Sequence, residues 1–479
     1  MNSVFRVLAG LALVWSVAAA SAEPQQSSAS DPAALSDGLQ IPLRYETLDN
    51  GLRVVLAEDH TVPTATVAVY YGVGYRNEPR GRTGFAHLFE HLFFAGSENL
   101  PEPVFYYYIS GMGGIANGST RLDFTNYFGV VPANALNAYL WAEADRMATP
   151  TINRQIFQRE RDVVRNEIFV NVQNQAYGDW TWIDLPMVAN ENWHNAHNFY
   201  GDLSDLDAAT VDDARAFFEQ YYTPRNAVLV VAGSFDTADT LTTINQYFGD
   251  IPAGPDLPEI DVSEPPQTAE KRSQITDPLA TLPGLAVAYH MPERGTPEYF
   301  AMILIDQILL RGGDARLRRR LVDELGYGSE VGGGINLLGS AFNYDGPMLW
   351  TASLIHDDAV APDDALDALS AVIERLRSEP VSAATLASAR SKFLAEFYLQ
   401  LDYSTRFGVV DLLASFALFD DDPSRINRIE DGFDQVTPEL VLATAQTWLR
   451  RENRTVLELI PGDGRPVAPA QAPDAGGKP

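Results

Sequence analysis

His87, Glu90 and His91 stand in the run His87-Leu88-Phe89-Glu90-His91, and the surrounding Phe85, Ala86, Leu88, Leu92 and Phe93 are apolar enough for a mostly buried helix. On a helix, positions i and i+4 share a face, so both imidazoles can point at one metal ion while Glu90 projects nearby. A metal held by three side chains keeps a position for water and lowers that water's pKa toward neutrality. An adjacent carboxylate must then take the proton, and Glu90 is placed for that part. The helix-like stretch 159–172 offers a third ligand: Glu160 and Glu167 are seven residues apart and share a face. Glu167 is taken as the ligand and Glu160 as the carboxylate that orients a ligating imidazole through its other ring nitrogen. Spacing alone leaves Glu98, Glu143 and Asp145 as competitors. A five-residue pattern of this kind also arises on ordinary helix surfaces; the apolar surroundings favour a built site.

The other histidines carry less. His194 and His197 lie in the polar, aromatic run Asn192-Trp193-His194-Asn195-Ala196-His197-Asn198, which has little helical periodicity, and are read as structural. His60, His290 and His356 are isolated and receive no role.

Such a site needs a scaffold, and the chain is long enough for two domains: 479 residues, 46% of them hydrophobic. Strand-like runs at 52–57, 67–71 and 285–290 open two halves that then turn helical. The stretch 252–278, with Pro255, Pro258, Pro265 and Pro266, reads as an extended connector between them. Both halves also end alike. Thr210, a helix, Asn226 and a strand to Gly233 are echoed by Thr437, a helix, Asn453 and a strand to Gly462, with equal intervals from threonine to asparagine. A distant internal duplication is expected.

Met1 to Ala22 pairs one charge at Arg6 with an apolar run and a small-residue ending, Ala20-Ser21-Ala22, the pattern of a secretory signal peptide. The mature chain is expected to be exported, to a bacterial periplasm, without stable membrane insertion. Cysteine is absent from the sequence, which excludes disulfides, thiolate metal sites and a cysteine nucleophile. With 64 acidic against 34 basic residues the formal charge is −30, which argues against nucleic acid as a partner.

The run Gly74-Tyr75-Arg76-Asn77-Glu78, followed by Gly84-Phe85-Ala86-His87-Leu88-Phe89-Glu90-His91-Leu92-Phe93-Phe94-Ala95-Gly96, resembles the pitrilysin and insulinase family of inverted-motif zinc peptidases, in its smaller two-domain branch that includes mitochondrial-processing-peptidase-like members. In that family the third ligand is a glutamate roughly seventy-odd residues beyond the second histidine, and here an interval of 76 residues reaches Glu167 in Arg165-Asn166-Glu167-Ile168, with Glu160 matching the companion acid. The resemblance covers nearly the whole mature chain. It implies one zinc ion per chain and an α+β fold of two homologous domains, each a sheet covered by helices, closing as a clam-like shell. The expected division is a signal peptide at 1–22, a flexible tail at 23–39 and the zinc-binding domain at 40–254. A linker at 255–278, a second domain without zinc at 279–463 and a tail at 464–479 complete it.

In the second half, Arg320-Leu321-Val322-Asp323-Glu324-Leu325-Gly326-Tyr327 is similar to the family's arginine and tyrosine segment. It implies that Arg320 binds substrate backbone and that Tyr327 donates to the oxyanion of the tetrahedral intermediate. Arg316, Arg318 and Arg319 crowd the same segment, so the choice among the arginines is less fixed than Tyr327. Ala116-Asn117-Gly118-Ser119-Thr120 resembles the family's substrate-pairing strand edge, with Gly118 in place of the usual alanine, and makes Asn117 a substrate-binding candidate. The function implied is a metalloendopeptidase acting on peptides or unfolded polypeptides, with Glu90 as general base. The expected assembly is a homodimer, or a heterodimer with a paralogous subunit. The alternatives are a non-catalytic peptide-binding or scaffolding subunit, and a zinc hydrolase acting on something other than peptides.

Overall fold

Runs rich in β-branched and aromatic residues become the central strands. In the computed structural model, which describes residues 39–401 and 406–462, β3 (Thr64–Tyr71) and β6 (Ala227–Gly233) are buried along nearly their whole length. The expected leader, almost all of the N-terminal tail and the C-terminal tail fall outside the described residues.

β1 (Arg44–Thr47), β2 (Arg53–Glu58), β4 (Ile115–Thr120) and β5 (Thr125–Pro132) complete a sheet of order β1-β2-β6-β3-β5-β4. The second sheet has the order β7-β11-β8-β10-β9, with β7 (Lys271–Asp277), β8 (Gly284–His290), β9 (Gly328–Ile335), β10 (Leu349–His356) and β11 (Arg454–Pro461). With β1 set aside, the strands of both sheets are ordered first, fifth, second, fourth, third in chain sequence. In both, the first strand pairs with the fifth in parallel and every other neighbour is antiparallel.

The helices repeat as well. In the first half they include α1 (Phe85–Phe94), α2 (Leu136–Ala148), α3 (Arg154–Ile168) and α4 (Val211–Tyr221). In the second they include α5 (Pro297–Leu309), α6 (Pro362–Ser378), α7 (Ala383–Leu401), α8 (Phe407–Asp420) and α9 (Pro438–Trp448). α1 packs on α3, α4 and β4, and α5 packs on α7, α9 and β9, so α5 and α7 are the counterparts of α1 and α3. The matching ends are also present. Thr210 and Thr437 cap α4 and α9 by accepting backbone N–H bonds from Asp213 and Leu440. Asn226 and Asn453 each donate Nδ2 to the carbonyl five residues earlier, Tyr221 and Trp448.

Three local expectations are revised. The C-terminal end of the expected connector is strand β7; its alternating polar sequence gives no apolar signal because this edge strand is held by parallel pairing to β11. α3 starts at Arg154, where Asn153 accepts the Ile156 N–H, and gives way after Ile168 to a wider π-type turn. His194 sits in a one-turn helix, Trp193–Ala196, capped by Asn192. Finally, α8 belongs to the second half in sequence yet packs on β2, β3 and β6 of the first sheet.

Candidate metal centre

α1 is fixed at its N-terminus before its histidines can be aimed. Gly84 adopts φ 83°, and a Cβ there would lie 2.5 Å from the Tyr200 carbonyl oxygen, so only glycine fits. The exposed N–H groups of that first turn are taken by Glu78, a fully buried carboxylate that accepts from Gly84 at 2.8 Å and Ala86 at 2.7 Å. His197 Nε2 lies 3.3 Å from the same carboxylate and its ring stacks on Trp193, while His194 Nδ1 bonds the Arg76 carbonyl. The second histidine pair thus bonds the carboxylate and backbone groups beside the α1 entry.

His87 and His91 project from α1 toward Glu167 on α3. His91 Nε2 is 3.2 Å from Glu167 Oε2, and His87 Nε2 is 3.6 Å from Glu167 Oε1. One ligand atom from each of the three side chains lies within 4.8 Å of the others, and this is the one such group of histidine, cysteine and acidic side chains among the described residues. Two imidazoles and one carboxylate at that separation suit the tetrahedral preference of zinc and leave a fourth position open. His87 is buried and its Nδ1 has no hydrogen-bond partner among the described residues. Glu160 is 3.9 Å from His91 Nδ1, the ring nitrogen facing away from Glu167, which is where an orienting carboxylate belongs.

The electrostatics follow from burial and crowding. Burial pushes His87 down to about 4, aided by the charge of His91. Burial would also depress His91, but its bond to Glu167 and the charges of Glu167, Glu90 and Glu160 carry it above its ordinary value. The His91 bond, against burial, holds Glu167 below the usual carboxylate range. Glu90 is pushed up, chiefly by burial, while Thr120 opposes the rise by donating to its Oε2 at 2.9 Å.

Two of these contributors were missed in the sequence. Thr120 closes β4, three residues beyond Asn117. Tyr200 lies far along the chain; its ring sits edge-on to His87 with centroids 5.0 Å apart, and its hydroxyl is 3.4 Å from Glu167 Oε1. Asn117 lies on β4, the outer strand of the first sheet, and its Oδ1 accepts the Gly118 N–H. At Gly118 a Cβ would lie 2.9 Å from Phe94 Cε2, which accounts for glycine at that position. The Arg320 side chain and the Tyr327 N–H make their bonds within their own segment. The Arg320 guanidinium pairs with Glu324 on an exposed face, the Tyr327 N–H donates to the Leu321 carbonyl, and no hydrogen bond or ion pair among the described residues links either to His87, His91 or Glu167.

Comparison with known proteins agrees with this architecture. Residues 53–180 match the family model described as Insulinase (Peptidase family M16), and residues 208–393 match the Peptidase M16 inactive domain. The zinc protease PqqE of Helicobacter pylori is 25% identical over 389 residues, 78% of this chain and 83% of that one. A solved protease structure from Helicobacter pylori superimposes with a TM-score of 0.80 at 22% identity, covering 88% of this chain and 99% of that one. The periplasmic protease PqqL from Escherichia coli aligns with a TM-score of 0.70 at 19% identity, over 88% of this chain and 48% of that one. With both family models matched in succession and the fold reproduced over 88% of the chain, the chain belongs to the insulinase, or M16, family of peptidases.

Proposed function

We propose that this protein is a zinc metalloendopeptidase that hydrolyses peptides or unfolded polypeptides. The observation that carries the reading is the convergence of His87, His91 and Glu167 within 4.8 Å, beside a carboxylate, Glu90, that Thr120 holds. One zinc ion bound by those three side chains would supply the Lewis acidity that makes a water nucleophilic at neutral pH. Glu90 then takes the proton from the attacking water and passes it to the leaving amine, a role suited by a carboxyl raised toward the working pH. Glu160 steadies His91 through its second ring nitrogen.

The outer edge of β4 supports a substrate held as an added strand, with Asn117 on that edge and Thr120 at its inner end beside Glu90. The metal-binding half is 40–254 and the half without zinc is 279–463. Tyr327 and Arg320, reaching across from the second half, are assigned to the oxyanion and the substrate backbone, and the assembly favoured is a homodimer. A heterodimer with a related subunit is the alternative. Export to a periplasm is supported by the leader-like first 22 residues and by the periplasmic location that the Escherichia coli neighbour's description gives for that protein.

The test is hydrolysis of quenched fluorescent peptides by the mature protein and by Glu90→Gln, with zinc measured in both. Turnover that falls by about 10²–10⁴-fold in a zinc-loaded Glu90→Gln protein supports the reading. Equal turnover in the two would remove Glu90 from the mechanism, and no turnover by a folded, zinc-loaded parent alone or mixed with a related subunit would favour a peptide-binding role.

A further inference from the structure

The duplicated architecture places a second polar pocket where the first half has its metal centre. α1 lays His87 and His91 against Glu160 and Glu167 of α3; the counterpart α5 lays Asp306 and Gln307 against Lys392 and Glu396 of α7. Here the two helices, together with α8, enclose a cavity of about 270 Å³ instead of a converging ligand set.

The cavity is built around an unmet hydrogen bond. Gln307 is 3% exposed, and its Nε2 donates to Glu396 Oε2 at 3.1 Å, which fixes the amide orientation. Its Oε1 has no hydrogen-bond partner among the described residues. A buried amide oxygen without a donor is unfavourable, so a donor brought by a ligand would complete the site.

The charges around it specify the sign of that donor. Asp306 is already neutralised by Arg311 Nε at 2.8 Å and bonded by Trp350 Nε1 at 2.9 Å. Lys392 is held away by the carbonyls of Gln307 and Arg311 and by Asp314. Among the described residues Glu396 and Asp411 form no ion pair, and Asp411 accepts from Tyr70 at 2.8 Å and Asn343 at 3.2 Å. Phe393 and Phe397 stack with centroids 6.0 Å apart, and Phe342 meets them edge-on, so the apolar wall consists of aromatic rings. The acids do not converge as they would for a bare metal ion. Aromatic faces, two unpaired carboxylates and an open amide acceptor instead match an organic cation with several N–H donors.

We propose that the cavity between α5, α7 and α8 binds a guanidinium or alkylammonium group, presented either by an arginine or lysine side chain of a polypeptide or by a free small amine. The site is separate from the zinc centre and does not require turnover.

The experiment is calorimetric titration of the full mature chain carrying Glu90→Gln, which prevents hydrolysis of the probe on the peptidase reading. The probes are agmatine, and the peptide acetyl-Ala-Arg-Ala-amide beside its citrulline counterpart. Saturable binding of an arginine or amine probe, at least tenfold tighter than the citrulline peptide, is expected. Gln307→Leu and Glu396→Gln, each added to Glu90→Gln, should weaken it at least tenfold. Glu396 is exposed, so its amide variant keeps the assay usable if Gln307→Leu fails to fold. Agmatine binding as tightly as the peptide points to a free amine as the natural source, and preference for the peptide points to a side chain. No discrimination from citrulline, or binding that survives in whichever of the added variants fold, overturns the proposal.

Discussion

Thr120 donates its hydroxyl to Glu90 Oε2 across 2.9 Å, so the strand offered to a peptide backbone also holds the proposed proton acceptor. Burial drives the Glu90 carboxyl upward, and Thr120 opposes it by bonding to the charged form. Thr120→Val removes that bond at nearly constant shape, so the carboxyl should rise further. The acid limb of the kcat/KM profile should then move to higher pH. Below that limb a hydrogen bond of about 1 kcal/mol translates into roughly a three- to tenfold loss, narrowing toward alkaline pH. Full pH–rate profiles of both proteins check this; an unmoved limb would assign it to another group.

Glu78 governs the same helix from its other end. Glu78→Ala would leave the buried N–H groups of Gly84 and Ala86 without their acceptor and remove a partner of His197. The expected cost is about 2–4 kcal/mol in unfolding free energy, with weaker zinc retention because α1 is no longer fixed. Glu78→Gln, which keeps one acceptor oxygen, should lose about half as much. Urea unfolding of zinc-loaded and metal-free protein measures both effects.

The sequence exposed features confined to one element or repeated along the chain. The i, i+4 spacing of His87 and His91 and the shared face of Glu160 and Glu167 survive in the structure because both depend only on helical geometry. The duplication was readable because Thr210 and Thr437 act as caps in both halves. Tyr200 was not, since its approach to His87 is created by the fold and leaves no periodic trace. β7 was hidden in the connector because an exposed edge strand needs no apolar face.

Metal binding should release protons from one histidine only. His87, lowered to about 4, is already neutral at pH 6, whereas His91 is raised and must lose a proton to bind zinc. Zinc binding near pH 6 should therefore release about one proton per ion, and affinity should climb with pH until His91 is neutral. Without metal the signs differ. The His91 contribution to stability is fully present below its ordinary value and is lost as pH rises through its raised one. The lowered Glu167 contributes above its ordinary value and is lost only as pH falls through its depressed one. Between those limits, on the mildly acidic side, both contributions hold. His87, held low, works the other way and withdraws stability as pH falls below the ordinary histidine value. Metal-free stability should therefore change little between pH 8 and pH 6, whereas zinc-loaded protein should gain stability as pH rises. Calorimetry in buffers of different ionisation enthalpy, beside melting curves, tests both statements.

Arg76 ties the two halves together. It is 2% exposed, bonds Asp123 Oδ1 and Oδ2 through Nη1 at 2.7 and 3.0 Å, and donates Nη2 to the Pro347 carbonyl at 2.7 Å. Asp123 Oδ2 also accepts the Asp345 N–H at 2.9 Å, and a Cβ at Gly346 would stand 2.1 Å from Arg76 Nη1, so the loop must present glycine to let the guanidinium in. Removing one member of such a buried pair strands the other charge. Asp123→Ala should cost about 3–5 kcal/mol, whereas Arg76→Met with Asp123→Leu should recover more than half of that, because an apolar pair leaves no charge to desolvate. The cost should be larger for association of the halves than for the metal centre itself, since the tie ends on Pro347 and Asp345 and touches none of the proposed ligands. In Asp123→Ala, limited proteolysis at the connector should therefore accelerate before zinc is lost; simultaneous loss would mean that the halves and the metal centre unfold as one unit.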